Sequence, residues 1–207
     1  MKDLKKELIR YGRKIYTEKF VIGSGGNISV RSGDKVCIKA SGVSLENSSA
    51  ADYNEVDLKT GRAICLKRPC SIEIPMHLAC YRARPDVGAV VHTHPVYGII
   101  LGIMGVKLGY ISYEFMLTMK SEVPTINYKS AGSGALAEAV GRAIKKYNGL
   151  LLKNHGTIVA GRDLSEAYER ALALERAAKI YVLAGLSGKV SLIPKEELQR
   201  LCKGSNH

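Results

Sequence analysis

Apolar positions fall into runs of changing period along the chain. Leu4, Leu8, Ile15 and Phe20 recur at near-helical spacing among charged neighbours, which predicts an opening helix ending around Val21 to Gly23. Short β-like runs follow. Asn27 to Arg31 and Lys35 to Lys39 flank Ser32, Gly33 and Asp34, and Glu55 to Leu58 and Arg62 to Leu66 flank Lys59, Thr60 and Gly61, so each pair predicts a hairpin. A helix is expected from Pro75 to Arg84, with proline in its first turn and Pro85 stopping it. Strands are expected at Ala89 to His92, around Val106 to Ser112, and at Pro124 to Tyr128. Ala135 to Lys146 reads as a helix, and Gly149 to Leu152 and Thr157 to Ala160 as strands about a turn at Asn154 to Gly156. Leu164 to Ala184 reads as a long amphipathic helix capped by Asp163, and the tail beyond Gly188 has room for one more. Hairpins interleaved with helices, without βαβ periodicity, predict an α/β layered fold whose central, mainly antiparallel sheet is flanked by helices. No repeat, linker or low-complexity segment interrupts it, so one domain over 1–207 is expected.

Composition changes this picture little. At 46% hydrophobic, 207 residues can bury one substantial core. No run of about 18 apolar residues could cross a bilayer, and the charged opening segment is unlike a signal peptide, so a soluble, cytoplasmic protein with no membrane partner is expected. The five cysteines (Cys37, Cys65, Cys70, Cys80, Cys202) are scattered without a CxxC pair and read as reduced. A net charge of +12 could mean nucleic acid, an anionic membrane, an anionic small substrate or only a lysine-rich solvated surface, the last being the commonest cause. The basic residues are dispersed, there is no Trp, and no aromatic-and-basic motif appears, so nucleic acid is not the expected partner. A positive field would still speed encounter with a phosphorylated substrate.

Candidate chemistry centres on histidine. In Val90-Val91-His92-Thr93-His94-Pro95 two histidines stand two apart at the end of an apolar run, so on a strand both imidazoles leave the same face. His155 lies in a turn before Gly156. Three neutral imidazoles with an open position suit catalytic zinc, yet spacing does not establish convergence, and a coincidence of strand and turn fits equally. Glu73 opens the predicted helix, where capping is the simpler role for a carboxylate. His77, one turn on, reads as a packed histidine rather than a fourth ligand. Gly23-Ser24-Gly25-Gly26-Asn27 and Ala40-Ser41-Gly42 can expose backbone N–H groups to an anion, although such glycines more often serve only as turns and each stretch is a weak signal alone. Neither matches a mononucleotide or dinucleotide fingerprint.

Taken in order, GGNISVR, KASG, Ser-x-Glu followed by PMHLACYRARPD, VVHTHP and KNHGTIVAG resemble the class II aldolase/adducin family, and within it most resemble the L-fuculose-1-phosphate aldolases; the match runs from about Leu4 to Leu186. The resemblance implies a mainly antiparallel sheet covered by helices, and a homotetramer with active sites between subunits. It implies that His92, His94 and His155 bind one Zn2+ per subunit, or another divalent ion, with Glu73 as acid/base and resting-state ligand. Gly26, Asn27, Ser41, Gly42 and Ser71 fall on its phosphate-binding positions. Tyr113 falls on a tyrosine that reaches the neighbouring subunit's site and protonates the aldehyde oxygen. The implied reaction is reversible cleavage of a phosphorylated ketose, L-fuculose 1-phosphate or similar, to dihydroxyacetone phosphate and a short aldehyde such as L-lactaldehyde, through a metal-stabilised enediolate. The Glu73 carboxyl would need a raised pKa once released from the metal.

The chain departs from the family pattern in three places. Ile72 replaces a second serine, the loop Ser130-Ala131-Gly132 lacks an expected aromatic residue, and the tail lacks a tyrosine. A sugar-phosphate 4-epimerase, a methylthioribulose-1-phosphate dehydratase, or a decarboxylase of a phosphorylated sugar acid would use the same scaffold. A non-enzymatic adducin-like module is the alternative from another class, disfavoured by the retained histidines and Glu73.

Overall fold

In β5 (Ala89–Thr93) the apolar run has no polar face because the strand is buried on both sides. Ala89 and Val91 join one core and Val90 joins another. The same period-two division holds for the buried residues of β1 (Asn27–Ser32), β2 (Lys35–Lys39), β3 (Tyr53–Asp57), β7 (Gly149–Leu152) and β8 (Gly156–Gly161), whereas the outer strands β4 (Ala63–Cys65) and β6 (Thr125–Ile126) have no buried residue. The computed structural model describes residues 2–204. Its eight strands form one sheet in the order β4-β3-β2-β1-β5-β8-β7-β6, antiparallel at every junction except β6 with β7.

Helices cover both faces. α1 (Lys2–Thr17), α3 (Val96–Met104), α4 (Tyr113–Met119) and α6 (Leu164–Ser187) pack on the side of Ile28, Val91 and Val159. α2 (Ile74–Ala83) and α5 (Gly134–Ile144) pack on the side of Val90, Leu150 and Ile158. α7 (Lys195–Gly204) fills the expected tail helix. Both predicted hairpins form, and Asp163 caps α6 by accepting from Glu166 N–H at 2.8 Å. The three-layer, mostly antiparallel α/β fold is thus the one expected.

Local differences have local causes. The opening helix stops at Thr17, before the left-handed Lys19, and Phe20 and Val21 are buried in the connection instead. Residues 106–112 are not a strand: only Leu108 bridges to Val123, because the place beside β7 is taken by β6. The expected strand over 124–128 shrinks to two residues, and β6, α5 and β7 form the one parallel crossover, contrary to the expected absence of βαβ units.

α3 and α4 were not expected. Pro95 offers no side-chain cap to α3. The first amides of α3, Tyr97 N–H and Gly98 N–H, donate to the Glu175 carboxylate of α6 at 2.9 and 2.8 Å, a cap from another helix that no local pattern announces. Cys37, Cys65, Cys70 and Cys80 are free thiols, while the Cys202 side chain lies outside the described residues. Among the described residues no helix is long and apolar enough to cross a membrane.

Candidate metal centre

Three elements aim the histidines. His92 is fully buried in β5, in register with Asn27 of β1 and Ile158 of β8. His94 leaves the strand end with its backbone N–H tied to the Phe20 carbonyl at 2.8 Å. His155 sits in the β7–β8 turn, where Asn154 is left-handed (φ 57°) and the His155 amide donates to the Leu152 carbonyl at 3.0 Å. The turn approaches β5 so closely that a Cβ on Gly156 would lie 2.3 Å from the Thr93 carbonyl oxygen, so only glycine fits.

The side chains converge. His92 Nε2 and His94 Nε2 are 3.0 Å apart, and Glu73 approaches His92 Nε2 through Oε2 and His155 Nε2 through Oε1, each at 3.2 Å. The four ligand atoms lie within 4.8 Å of one another. His92 Nδ1 sits 2.8 Å from the Thr157 carbonyl, which can only accept, so the proton is on Nδ1 and the Nε2 lone pair faces the cluster. Glu73 Oε1 is the one buried side-chain polar atom among the described residues with no aligned hydrogen bond, its approach to His155 being close but poorly directed. Converging lone pairs beside an orphaned carboxylate oxygen are what a divalent cation satisfies, so the donor set fits zinc or a similar ion.

The electrostatics agree. Burial, then the neighbouring His92 and His155, push His94 down to about 4, leaving a neutral imidazole available as a ligand near pH 7. Burial alone would raise the Glu73 carboxyl, but His155, His92 and the Asn27 amide together hold it well below the usual carboxylate range. A carboxylate withdrawn from the imidazoles keeps its burial and loses the contacts that depress it.

Glu73 occupies the N-cap position of α2, yet its side chain makes no capping bond, so capping does not account for it. His77 is buried and bonded to Asn27 and Ser29 rather than to the cluster, as a packed histidine should be.

Beside the cluster lies a cleft of about 250 Å³. Gly26, Asn27, Ser41, Gly42 and Ser71 all line it, together with Glu73, His94 and His155. A larger groove of about 710 Å³, along the end of α1 and residues 21–23, contains none of the histidines. Gly26 is left-handed (φ 63°), and a Cβ there would lie 2.8 Å from the His92 carbonyl oxygen, which sets the glycine loop close against β5.

Sequence reasoning missed Lys39. It is buried, it lines the cleft, and its ammonium donates to the Ser24 carbonyl at 2.8 Å and to the Val43 carbonyl, pinning the two loops together. Burial lowers it to about 8, against the pull of Glu73. Its place two residues before Ser41, at the end of a predicted strand, was the available signal. Tyr113 is not brought to this cleft; it is 53% exposed at the start of α4. Two departures from the family pattern meet at the rim, where exposed Ile72 lies against left-handed Gly132, next to Ala131.

The Class II Aldolase and Adducin N-terminal domain matches residues 6–182. The L-fuculose phosphate aldolase of Methanocaldococcus jannaschii is 35% identical over 179 residues, covering 86% of this chain and 96% of the relative. The 5-deoxy-D-ribulose 1-phosphate aldolase of Bacillus thuringiensis serovar kurstaki is 31% identical over 201 residues, covering 96% and 93%. A solved L-fuculose 1-phosphate aldolase superposes with a TM-score of 0.93 at 29% identity, covering 100% of this chain and 98% of that one. A histidine and glutamate cluster opening on a cleft, the ordered motifs and these likenesses agree, and the chain belongs to the class II aldolase and adducin family.

Proposed function

We propose that this chain is a zinc-dependent aldolase that reversibly cleaves a phosphorylated ketose, L-fuculose 1-phosphate or a 5-deoxypentulose 1-phosphate, to dihydroxyacetone phosphate and a short aldehyde. The observation that carries this reading is that one cleft is lined both by members of a four-ligand cluster and by the glycine, serine and asparagine residues of the expected phosphate site. A divalent ion held by His92, His94 and His155, with Glu73 as an exchangeable fourth ligand, would polarise the substrate oxygens and stabilise negative charge developing on them.

The protein's own groups supply the rest. Lys39 places positive charge beneath the loops, while Ser71, Ser41 and the amides of Gly26 and Gly42 offer donors to the phosphate, with Asn27 at its border. Glu73 carries the proton between carbon and the cleft. Tyr113, exposed on α4, is assigned to a neighbouring subunit's cleft in a homotetramer, where it protonates the aldehyde oxygen. A cytoplasmic location suits these metabolites.

Metal analysis followed by a panel of ketose phosphates tests the reading. One divalent ion per chain, and dihydroxyacetone phosphate release that a chelator stops and zinc restores, is the expected result. Stoichiometric metal with no cleavage of any ketose, but with epimerisation of ribulose 5-phosphate or water loss from methylthioribulose 1-phosphate, would move the protein to another reaction of the same scaffold.

A further inference from the structure

Glu73, His77 and Tyr81 follow one another at i, i+4 and i+8 and so share a stripe of α2, and Asn27 and Ser29, at i and i+2, share a face of β1. The two stripes meet. Asn27 Nδ2 lies 2.8 Å from Glu73 Oε2, His77 Nε2 meets Asn27 Oδ1, His77 Nδ1 lies 2.8 Å from Ser29 Oγ, and Ser29 Oγ lies 2.7 Å from the Tyr81 hydroxyl. All five side chains are buried, in a layer whose remaining core residues are mostly aliphatic.

One boundary condition orders every proton in this chain. The Glu73 carboxylate only accepts, so Asn27 must turn its amide N–H toward it and its Oδ1 away. That oxygen requires a donor, so His77 carries its proton on Nε2 and presents a bare Nδ1, which takes the Ser29 hydroxyl proton. Ser29 in turn accepts from Tyr81. No link reverses without reversing its neighbours, and the far end would then turn an amide oxygen on a carboxylate. Each Glu73 oxygen lies 3.2 Å from an imidazole of the cluster, but only Oε2 also accepts from the Asn27 amide, and Oε1 has no aligned partner.

We propose that His77 is a positioning residue: through Asn27 it anchors Glu73 Oε2 and so reserves Oε1 as the oxygen that meets the metal and takes the proton. This rests on Glu73 being the acid/base residue at the metal. A merely space-filling His77 would leave Asn27 Oδ1 without a donor, so the amide would be held only by Glu73 and would anchor Oε2 less firmly.

The test is a double-mutant cycle on the full chain, read by Co2+ titration of the metal-free protein in visible absorption, and by kcat and KM on the ketose that wild type cleaves. His77→Leu should weaken Co2+ binding by ~10- to 100-fold, the range for lost partners of ligating groups, and lower kcat with KM little changed. His77→Gln, which keeps a donor for Asn27, should stay within about threefold on the same scale. In a Glu73→Gln background His77→Leu should add little. Equal losses in His77→Leu and His77→Gln, or full additivity with Glu73→Gln, would overturn the proposal.

If His77→Leu does not fold, the smaller Ser29→Ala decides. A several-fold loss of Co2+ affinity that vanishes in the Glu73→Gln background supports the relay, and no change refutes it. Nitrogen-15 NMR of the wild-type imidazole must also show the proton on Nε2; a proton on Nδ1 alone defeats the idea. Should wild type cleave no ketose, the functional reading falls while the cobalt cycle still decides this one.

Discussion

At one end of the cleft His92 is fully buried in a strand, Glu73 is nearly so at a helix start, and hydrogen bonds to Thr157 and Asn27 fix both. At the other end Ser41 and Gly42 are exposed in a turn, and the glycine loop passes from exposed Gly23 and Ser24 to buried Gly26. The first end is rigid before any ligand arrives, as chemistry at a fixed point requires. The second is made of two loops that Lys39 holds together through the Ser24 and Val43 carbonyls. Damage at the metal end should therefore appear in turnover, and damage at the anion end in affinity.

The largest effects belong to the metal end and separate its two kinds of ligand. His92→Ala removes the most buried of the proposed ligands, so metal content should fall far below one per chain and cleavage to background; retention of both would dissolve the cluster as a metal site. Glu73→Gln should leave the three imidazoles and their metal in place while lowering kcat by ~10²- to 10⁴-fold, the range for a lost general acid/base. Loss of metal in both variants alike would make Glu73 a permanent ligand and not one that leaves to move a proton. Elemental analysis beside steady-state kinetics distinguishes the two.

The same contrast sets what could be read from the sequence. His92 and His94 declared a shared face because a strand has period two, and period two survives folding. Convergence of His155 and Glu73 on them depends on the Asn154 turn and the pairing of β5 with β8, which are tertiary facts, so the residues alone left the cluster open and the ordered family motifs carried it. Lys39 was overlooked because a terminal strand lysine is usually solvated, and only the loops folded over it bury it. α3 escaped because its cap comes from Glu175, far along the chain, and residues 106–112 were misread because their apolar alternation has no strand to pair with.

Lys39 gives the next largest effect, and one that depends on pH. Burial brings its pKa from the usual 10.5 to about 8, so the charge is present below that pH and lost above it. A phosphate monoester stays dianionic across this range, so KM should climb above about pH 8 in wild type. Between about 8 and 10.5 the unfolded chain binds a proton that the folded chain does not. The folding stability contributed by this group therefore increases with pH there while phosphate affinity decreases, which separates lost binding from unfolding. Lys39→Met should raise KM about tenfold, as for a lost charge-assisted hydrogen bond, with a flat pH dependence and kcat nearly intact. A kcat loss instead would mean that Lys39 acts on Glu73 rather than on the anion.

The smallest effect addresses the border between the two ends. Ile72, 66% exposed beside Ser71 and against Gly132, puts an apolar side chain where the family pattern has a hydroxyl donor. Ile72→Ser restores a donor worth about 0.5–1.5 kcal/mol net, so KM should fall ~2- to 10-fold at unchanged kcat. A fall of the same size for every ketose 1-phosphate tested places position 72 at the anion end, because the phosphate is what those substrates share. A change confined to substrates with one kind of aldehyde terminus, methyl against hydroxymethyl, would place it with Ala131 in an aldehyde-facing rim. In that case the contrast runs along three stations of the cleft, with the apolar rim setting which aldehyde the rigid metal end is offered.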